Sequence, residues 1–213
     1  MQLIREAKLV STLGTHPNIV QVYDLLEEDP YFGIIMEFLS GEPLKAKLQS
    51  ATRLRAGEVR RVSVACLEAL VHAHNHNVVH RDIKPDNIFI CSDQTVKLLD
   101  FGLARLVEER SLHTSVHMAG TPAYMAPEAF DRFYGFSSDL WSMSAVMFHC
   151  LTGELPFSAS RPVAPPVVLQ PEDVPEHADL VQVVARGLNL QRADRYQSAA
   201  EMLQALKGSS SQD

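Results

Sequence analysis

Apolar residues Leu3, Ile4, Ala7 and Val10 recur at helical spacing, and Gly14 and Pro17 stop the pattern, which predicts an amphipathic helix over residues 1–13. Two strand-like runs follow at 19–26 and 31–38, parted by the turn-like Glu27-Glu28-Asp29-Pro30. Ser40-Gly41-Glu42-Pro43 reads as a hinge-like break before a short helix at 44–50. A longer helix is predicted at about 57–76, with Val62, Ala65, Cys66, Ala69 and Leu70 on one face. Short strands are expected at 78–79, 88–90 and 96–99, and helical patterns resume near 138–151, 177–189 and 198–207. Between them, 158–176 holds five prolines and is expected to be an extended surface loop. Residues 208–213 form a polar tail, and no internal repeat is present. A small β-rich piece thus precedes a mainly helical body, an α+β arrangement.

Composition narrows the picture. A chain of 213 residues that is 46% hydrophobic can bury one domain, or one large lobe with part of a second. With 19 basic against 26 acidic residues the net charge is −7, so a broad basic footprint for nucleic acid is not expected. Cys66, Cys91 and Cys150 are odd in number and widely spaced, which suits reduced thiols of a cytoplasmic protein better than a disulfide framework or zinc site. The first eight residues lack the apolar core of a signal peptide. The most apolar stretch, 140–151, is too short to span a bilayer and carries His149, so no transmembrane segment is expected.

Candidate chemistry lies in His80-Arg81-Asp82-Ile83-Lys84-Pro85-Asp86-Asn87 and, after a short β-type stretch, Asp100-Phe101-Gly102. An aspartate that orients a hydroxyl, a lysine that neutralises a moving phosphoryl and two oxygen donors for magnesium are what phosphoryl transfer requires. In this order the segments resemble the catalytic and magnesium loops of protein kinases. Ala126-Pro127-Glu128, Asp139-Leu140-Trp141-Ser142, Leu155-Pro156-Phe157 and Ala193-Asp194-Arg195-Tyr196 extend the resemblance over residues 1–207. The flavour of Arg195-Tyr196-Gln197-Ser198-Ala199 is similar to Hanks-type serine/threonine kinases of bacteria.

That resemblance implies a kinase-like fold: part of an N-lobe with the hinge at 1–39, a complete helical C-lobe at 40–207 and a disordered tail at 208–213. It implies ATP and Mg2+ as cofactors and a protein substrate with a serine or threonine acceptor. Asp82 becomes the catalytic base, Lys84 the γ-phosphate contact, and Asn87 with Asp100 the metal ligands. Lys84, together with Gly120-Thr121, argues against a tyrosine kinase. Met36 is the expected gatekeeper, Glu37 and Leu39 offer backbone groups to adenine, and Phe89 is its floor, although Met36 and Phe89 also read as ordinary core. His80 is expected to pack in a spine with Val10, Val22 and Phe101, anchored at Asp139. Arg81 implies switching by phosphorylation in a segment that offers Ser111, Thr114 and Ser115, with Thr121 positioning substrate. Glu128 is expected to pair with Arg195. His72 and His76 share a helix face near His74, but no acidic or cysteine ligand accompanies them, which weighs against a metal site.

One departure stands out. No two glycines are two residues apart, and no strand lysine precedes the hinge to pair with Glu6. The expectation is an ATP-dependent serine/threonine kinase domain that lacks its first N-lobe strands and is inactive or weakly active in this form. The alternative is a catalytically dead pseudokinase or regulatory binding module. A small-molecule kinase is disfavoured by Ala126-Pro127-Glu128 and Arg195.

Overall fold

The computed structural model describes residues 13–28, 31–101, 105–106, 122–157, 169 and 178–208. Outside the described residues lie nearly all of the predicted first helix, most of the Ser/Thr/His-rich segment and all but Leu169 of the proline-rich stretch. Strands β1 (Val22–Glu28) and β2 (Tyr31–Met36) form an antiparallel hairpin, as the two apolar runs predict. The register shifts between Val22 and Asp24, and Tyr23 at this irregularity is exposed.

The predicted break at 40–43 is instead a strand, β3 (Gly41–Pro43), with Gly41 opposite Cys91 and Pro43 opposite Phe89. Glycine and proline signal turns by composition, yet here they permit pairing. Gly41 has φ +144°, and a Cβ at that position would meet the Ile90 carbonyl oxygen at 2.1 Å, so only glycine lets the backbones come this close. With β5 (Ile88–Cys91) and β6 (Val96–Leu98), β3 makes a three-stranded antiparallel sheet in the order β3-β5-β6. The chain just before β1 docks on this sheet: Val20 N donates to Leu98 O, Leu98 N donates to Asn18 O, and Ile19 bridges Leu98 in parallel.

Helix α1 (Leu44–Ala51) follows, then α2 (Ala56–Asn75), whose Val59, Val62, Cys66, Leu67, Leu70 and Ala73 are buried at helical spacing. Glu58 in its first turn complements the helix dipole, and Asn77, at φ +60°, reverses the chain beyond its end. Helix α3 (Phe136–Thr152) is apolar on nearly every side and forms the centre of the helical lobe, with Leu140, Trp141, Met143, Val146 and Met147 fully buried. Helices α4 (Ala178–Gly187) and α5 (Ala199–Gly208) pack around α2 and α3. Burial pushes the Cys66 thiol up to about 12, and all three cysteines are free. The two-residue strand β4 (Val78–Val79) pairs antiparallel with β7 (Arg105–Leu106), a strand that the sequence does not announce. No helix among the described residues is long and apolar enough to cross a membrane.

One ion pair ties the late helices to the segment ahead of α3. Arg195 is 1% exposed, and its two terminal nitrogens donate to Glu128 Oε1 and Oε2 at 2.8 and 3.0 Å. Its Nε donates to Asn189 O at 2.7 Å, and the guanidinium lies 4.6 Å from the Trp141 ring centroid. Glu128 also accepts from Ser138 Oγ in the first turn of α3. Because every arm of Arg195 is engaged, Arg195→Ala leaves a half-buried carboxylate without its cation. The expected loss is about 3–5 kcal/mol, read from a urea midpoint or melting temperature; an unchanged melt would show the pair to be energetically idle.

Three histidines give the fold a pH dependence. Burial holds His80, His16 and His149 below the usual histidine range, outweighing the carboxylates Asp139, Asp82 and Asp100 that pull His80 the other way. The unfolded chain therefore binds protons first as the pH falls. This contribution to stability is complete above about pH 6.5 and is lost on acidification through the lower folded values. Urea midpoints should stay level above that pH and fall below it; midpoints that rise on acidification would contradict the burial argument.

Candidate active site

The site begins at Asp139, a fully buried carboxylate in the first turn of α3. Its Oδ2 accepts from His80 N at 2.9 Å and its Oδ1 from Arg81 N at 2.9 Å. His74 Nε2 donates to Oδ2 at 2.9 Å. Burial alone would raise the Asp139 pKa, but the His74 hydrogen bond and charge, His80 and the Arg81 amide together hold it below the usual carboxylate range. The grip explains an unusual backbone: Arg81 has φ +71°, a left-handed conformation that a non-glycine residue keeps only when its surroundings over-determine it.

His80 then joins two loops. Its Nε2 donates to Leu99 O at 2.9 Å, its Nδ1 accepts from Asp82 N at 3.3 Å, and its ring centroid lies 4.6 Å from that of Phe101. Both ring nitrogens are engaged, and burial holds the ring below the usual histidine range, an arrangement that suits packing. Of the expected spine, His80, Phe101 and Asp139 meet as described; Val22 is half-buried, and Val10 lies outside the described residues.

Asp82 is 7% exposed. Its Oδ2 accepts from Lys84 Nζ at 2.6 Å and from Asn87 Nδ2 at 3.0 Å, while Asn87 Nδ2 also donates to Asp82 O at 2.8 Å. Its Oδ1 is buried with no partner among the described residues. A buried acceptor left unsatisfied is costly, so this oxygen calls for a donor that the described residues do not supply. Leu99 N donates to Asn87 O at 2.8 Å and so brings Asp100 beside the turn that carries Asn87. Asp100 is exposed, again with a left-handed backbone at φ +54°. The structure thus gathers Asp82, Lys84, Asn87 and Asp100 onto two adjoining loops.

The hinge residues are more open than the core alternative requires. Met36 is 47% exposed and Phe89 half-buried, so neither is ordinary core. Glu37 N donates to Gln21 O, and its carboxylate Oε1 accepts from Gln21 N at 2.7 Å and Lys97 Nζ at 2.6 Å. Leu39 is half-buried beside the exposed Phe38. Beside the turn at Pro85–Asn87, a cleft of about 370 Å³ is lined by Lys45, Leu48, Pro85, Asp86, Tyr124 and His149.

The Arg81 guanidinium carbon sits 5.0 Å from the Tyr134 ring centroid. Glu6, Ser111, Thr114, Ser115 and Thr121 lie outside the described residues. The histidines around 72–76 hold no metal cluster among the described residues. His74 serves Asp139, His72 Nε2 donates to Leu13 O, and His76 Nδ1 donates to His72 O. Sequence reasoning missed Lys97, whose only signal is a charge between the inward-facing Val96 and Leu98, and also Lys45, which pairs with Asp86 at 2.5 Å.

Comparison with known proteins identifies the family. The protein kinase domain model matches residues 1–205. The chain is 37% identical to serine/threonine-protein kinase Pkn1 of Myxococcus xanthus over 95% of its own length and 31% of that protein. It is 35% identical to PknB of Mycolicibacterium smegmatis over 93% of its length, covering 34% of the relative. With PrkC of Bacillus subtilis it shares 36% identity over 75% of its length and 25% of that protein. The chain therefore spans about a third or less of these relatives, which are serine/threonine kinases of a family that generally uses ATP and Mg2+. Matched over residues 1–205, the chain belongs to the protein kinase domain family.

Proposed function

We propose that this chain carries the hinge and catalytic lobe of an enzyme that transfers the γ-phosphoryl group of ATP to a serine or threonine hydroxyl of a protein. The observation that carries the reading is Asp82, with one oxygen held by Lys84 and Asn87 and the other buried without a partner among the described residues. A substrate hydroxyl fits that second oxygen as a donor. Its oxygen attacks the γ-phosphorus, the bond to the ADP oxygen breaks, and the hydroxyl proton passes to Asp82. Lys84, on the far side of the same carboxylate, brings positive charge to the moving phosphoryl. The cleft beside Pro85 and Asp86 gives a polypeptide room next to this loop.

Asn87 turns its amide nitrogen toward Asp82, which leaves its carbonyl oxygen available, and Asp100 adds a carboxylate from the adjoining loop. Hard oxygen donors of this kind fit magnesium, which when bound neutralises phosphate charge. Glu37 has its N–H committed to Gln21, so its carbonyl and the backbone of Leu39 are the groups offered to adenine, with Met36 as gatekeeper and Phe89 as floor. Arg81 would meet a phosphate on the activation segment, with Thr114 and Ser115 the candidate sites, while Thr121 positions substrate. The lobes divide at residues 39 and 40, and the setting is the cytoplasm; Gly208, expected in the tail, instead closes α5, and residues 209–213 lie outside the described residues.

In a chain extended upstream by a glycine-rich loop and a strand lysine, Asp82→Asn is expected to abolish phosphate transfer and leave MgADP binding largely intact. Wild-type phosphate incorporation by that variant would remove Asp82 from the base role.

A second reading, a binding module without transfer, is favoured by one observation. Within the 213 residues no glycines are spaced for a phosphate-covering loop, and Lys8 is the only lysine before the hinge. Catalysis of this type rests on positioning and charge stabilisation, so the 213-residue chain alone is expected to turn over far below the roughly 1–100 per second usual for kinases. Phosphate transfer to a generic basic protein, with Asp100→Ala as the blank, measures it. Turnover within that range would mean that other residues replace the lysine and the loop.

A further inference from the structure

Strand β6 alternates, with Val96 and Leu98 in the core, so a residue between them is expected to point to solvent. Lys97 does not. Its side chain is only 15% exposed, because it lies against Glu37, whose carboxylate is 19% exposed. Its Nζ donates to Glu37 Oε1 at 2.6 Å and reaches Ile19 O at 3.5 Å. The same Oε1 accepts from Gln21 N at 2.7 Å, and Glu37 N donates to Gln21 O at 2.9 Å. Across the sheet, Lys97 is the direct register partner of Phe89. Residues directly opposite in an antiparallel pair share a face, with Cβ atoms about 4.5–5.5 Å apart.

Lys97 therefore touches the hinge residue, stands beside the expected adenine floor, and belongs to the strand that runs on through Leu99 into Asp100. We propose that Lys97 is a positioning residue that clasps the hinge to the strand leading into Asp100 and so fixes the adenine end of the nucleotide site relative to its phosphate end. The proposal deepens the nucleotide-binding reading given above and rests on it. The physical reason is rigidity. A charge-assisted bond between two mostly buried side chains has few alternative geometries, and the backbone pairs of Gln21 with Glu37 and of Asn18 and Val20 with Leu98 carry that constraint into both segments. Without the ammonium, the Glu37 carboxylate is left half-buried beside one amide and is drawn toward water, taking the hinge backbone with it.

The experiment uses the 213-residue chain and two readouts. Titration with fluorescent MgADP is expected to show about tenfold weaker binding for Lys97→Ala. Lys97→Arg, and the charge exchange Glu37→Lys with Lys97→Glu, should recover most of the loss, which a purely structural lysine would not require of its partner. Amide hydrogen exchange is expected to show faster exchange at Gln21 and Glu37 in Lys97→Ala, with the amides of α2 and α3 unchanged. If Lys97→Ala is unfolded, the charge-exchanged pair decides: recovered hinge protection supports the clasp, and hinge amides exchanging as fast as an unstructured segment overturn it. Unchanged hinge exchange in a folded Lys97→Ala also overturns it. If the wild-type chain binds no MgADP, the nucleotide reading fails by itself, and hinge exchange still tests the coupling.

Discussion

The buried carboxylate of Asp139 is the constraint on which the site depends. An ionised group inside the helical lobe is tolerable only when its lone pairs are filled, and three donors fill them: the His80 and Arg81 amides and the His74 ring. Two of these donors belong to the loop that carries Asp82, so the requirement to solvate a charge becomes a requirement on backbone geometry. The left-handed Arg81 is the visible result, and Asp82 follows it directly. His80 passes the constraint onward to Leu99 and Phe101, so the loops carrying Asp82 and Asp100 hang from one carboxylate on the most buried helix.

Much of this was legible in the sequence, and the legible parts are local. Helices α2, α3, α4 and α5 fall within one or two residues of their predicted limits at most points, because each carries its own apolar periodicity. Asp82, Lys84, Asn87 and Asp100 were grouped by their spacing along the chain, and the structure brings them onto two adjoining loops. The pairing of Glu128 with Arg195 was expected from resemblance and is present with both oxygens engaged. What was missed depends on residues distant in the chain. Strand β7 has two residues and exists only because β4 lies beside it. The segment Gly41–Pro43 was read as a break because glycine and proline usually mark turns, whereas the close approach of Ile90 reverses the meaning of that glycine. Lys97 carries no motif, and its partner is sixty residues away. The core reading of Met36 fails for a similar reason: an apolar residue in a strand says nothing by itself about what covers it.

Two ion pairs with similar lengths do different work. Lys45 and Asp86 meet at 2.5 Å on the rim of the cleft, both well exposed, so water screens them and their contribution to stability is small. Lys97 and Glu37 meet at 2.6 Å with most of both side chains covered, and removing either charge would strand the other. Length alone would rank the pairs together; burial separates them. The same distinction applies to Arg195, whose wholly buried guanidinium is fixed by carbonyls, a carboxylate and an indole face at once.

Charge balance at the proposed phosphate end leads one step further. Lys84 is paired with Asp82 and Lys45 with Asp86, while Asp100 adds another acid beside Asn87. The described loops therefore present a triphosphate with little net positive charge, and the chain as a whole is acidic at −7. A polyanion does not settle among carboxylates unless cations accompany it, and in this arrangement the oxygens of Asn87 and Asp100 can recruit them. On the proposed reading, the acids that look adverse to phosphate would be the means of bringing it in, with a divalent ion between like charges. Nucleotide and metal should then bind as one species at this site. On the proposed reading the hinge would hold the apolar end of that species and Asp82 would stand at the other, so the separation between them is the dimension the fold would have to hold constant.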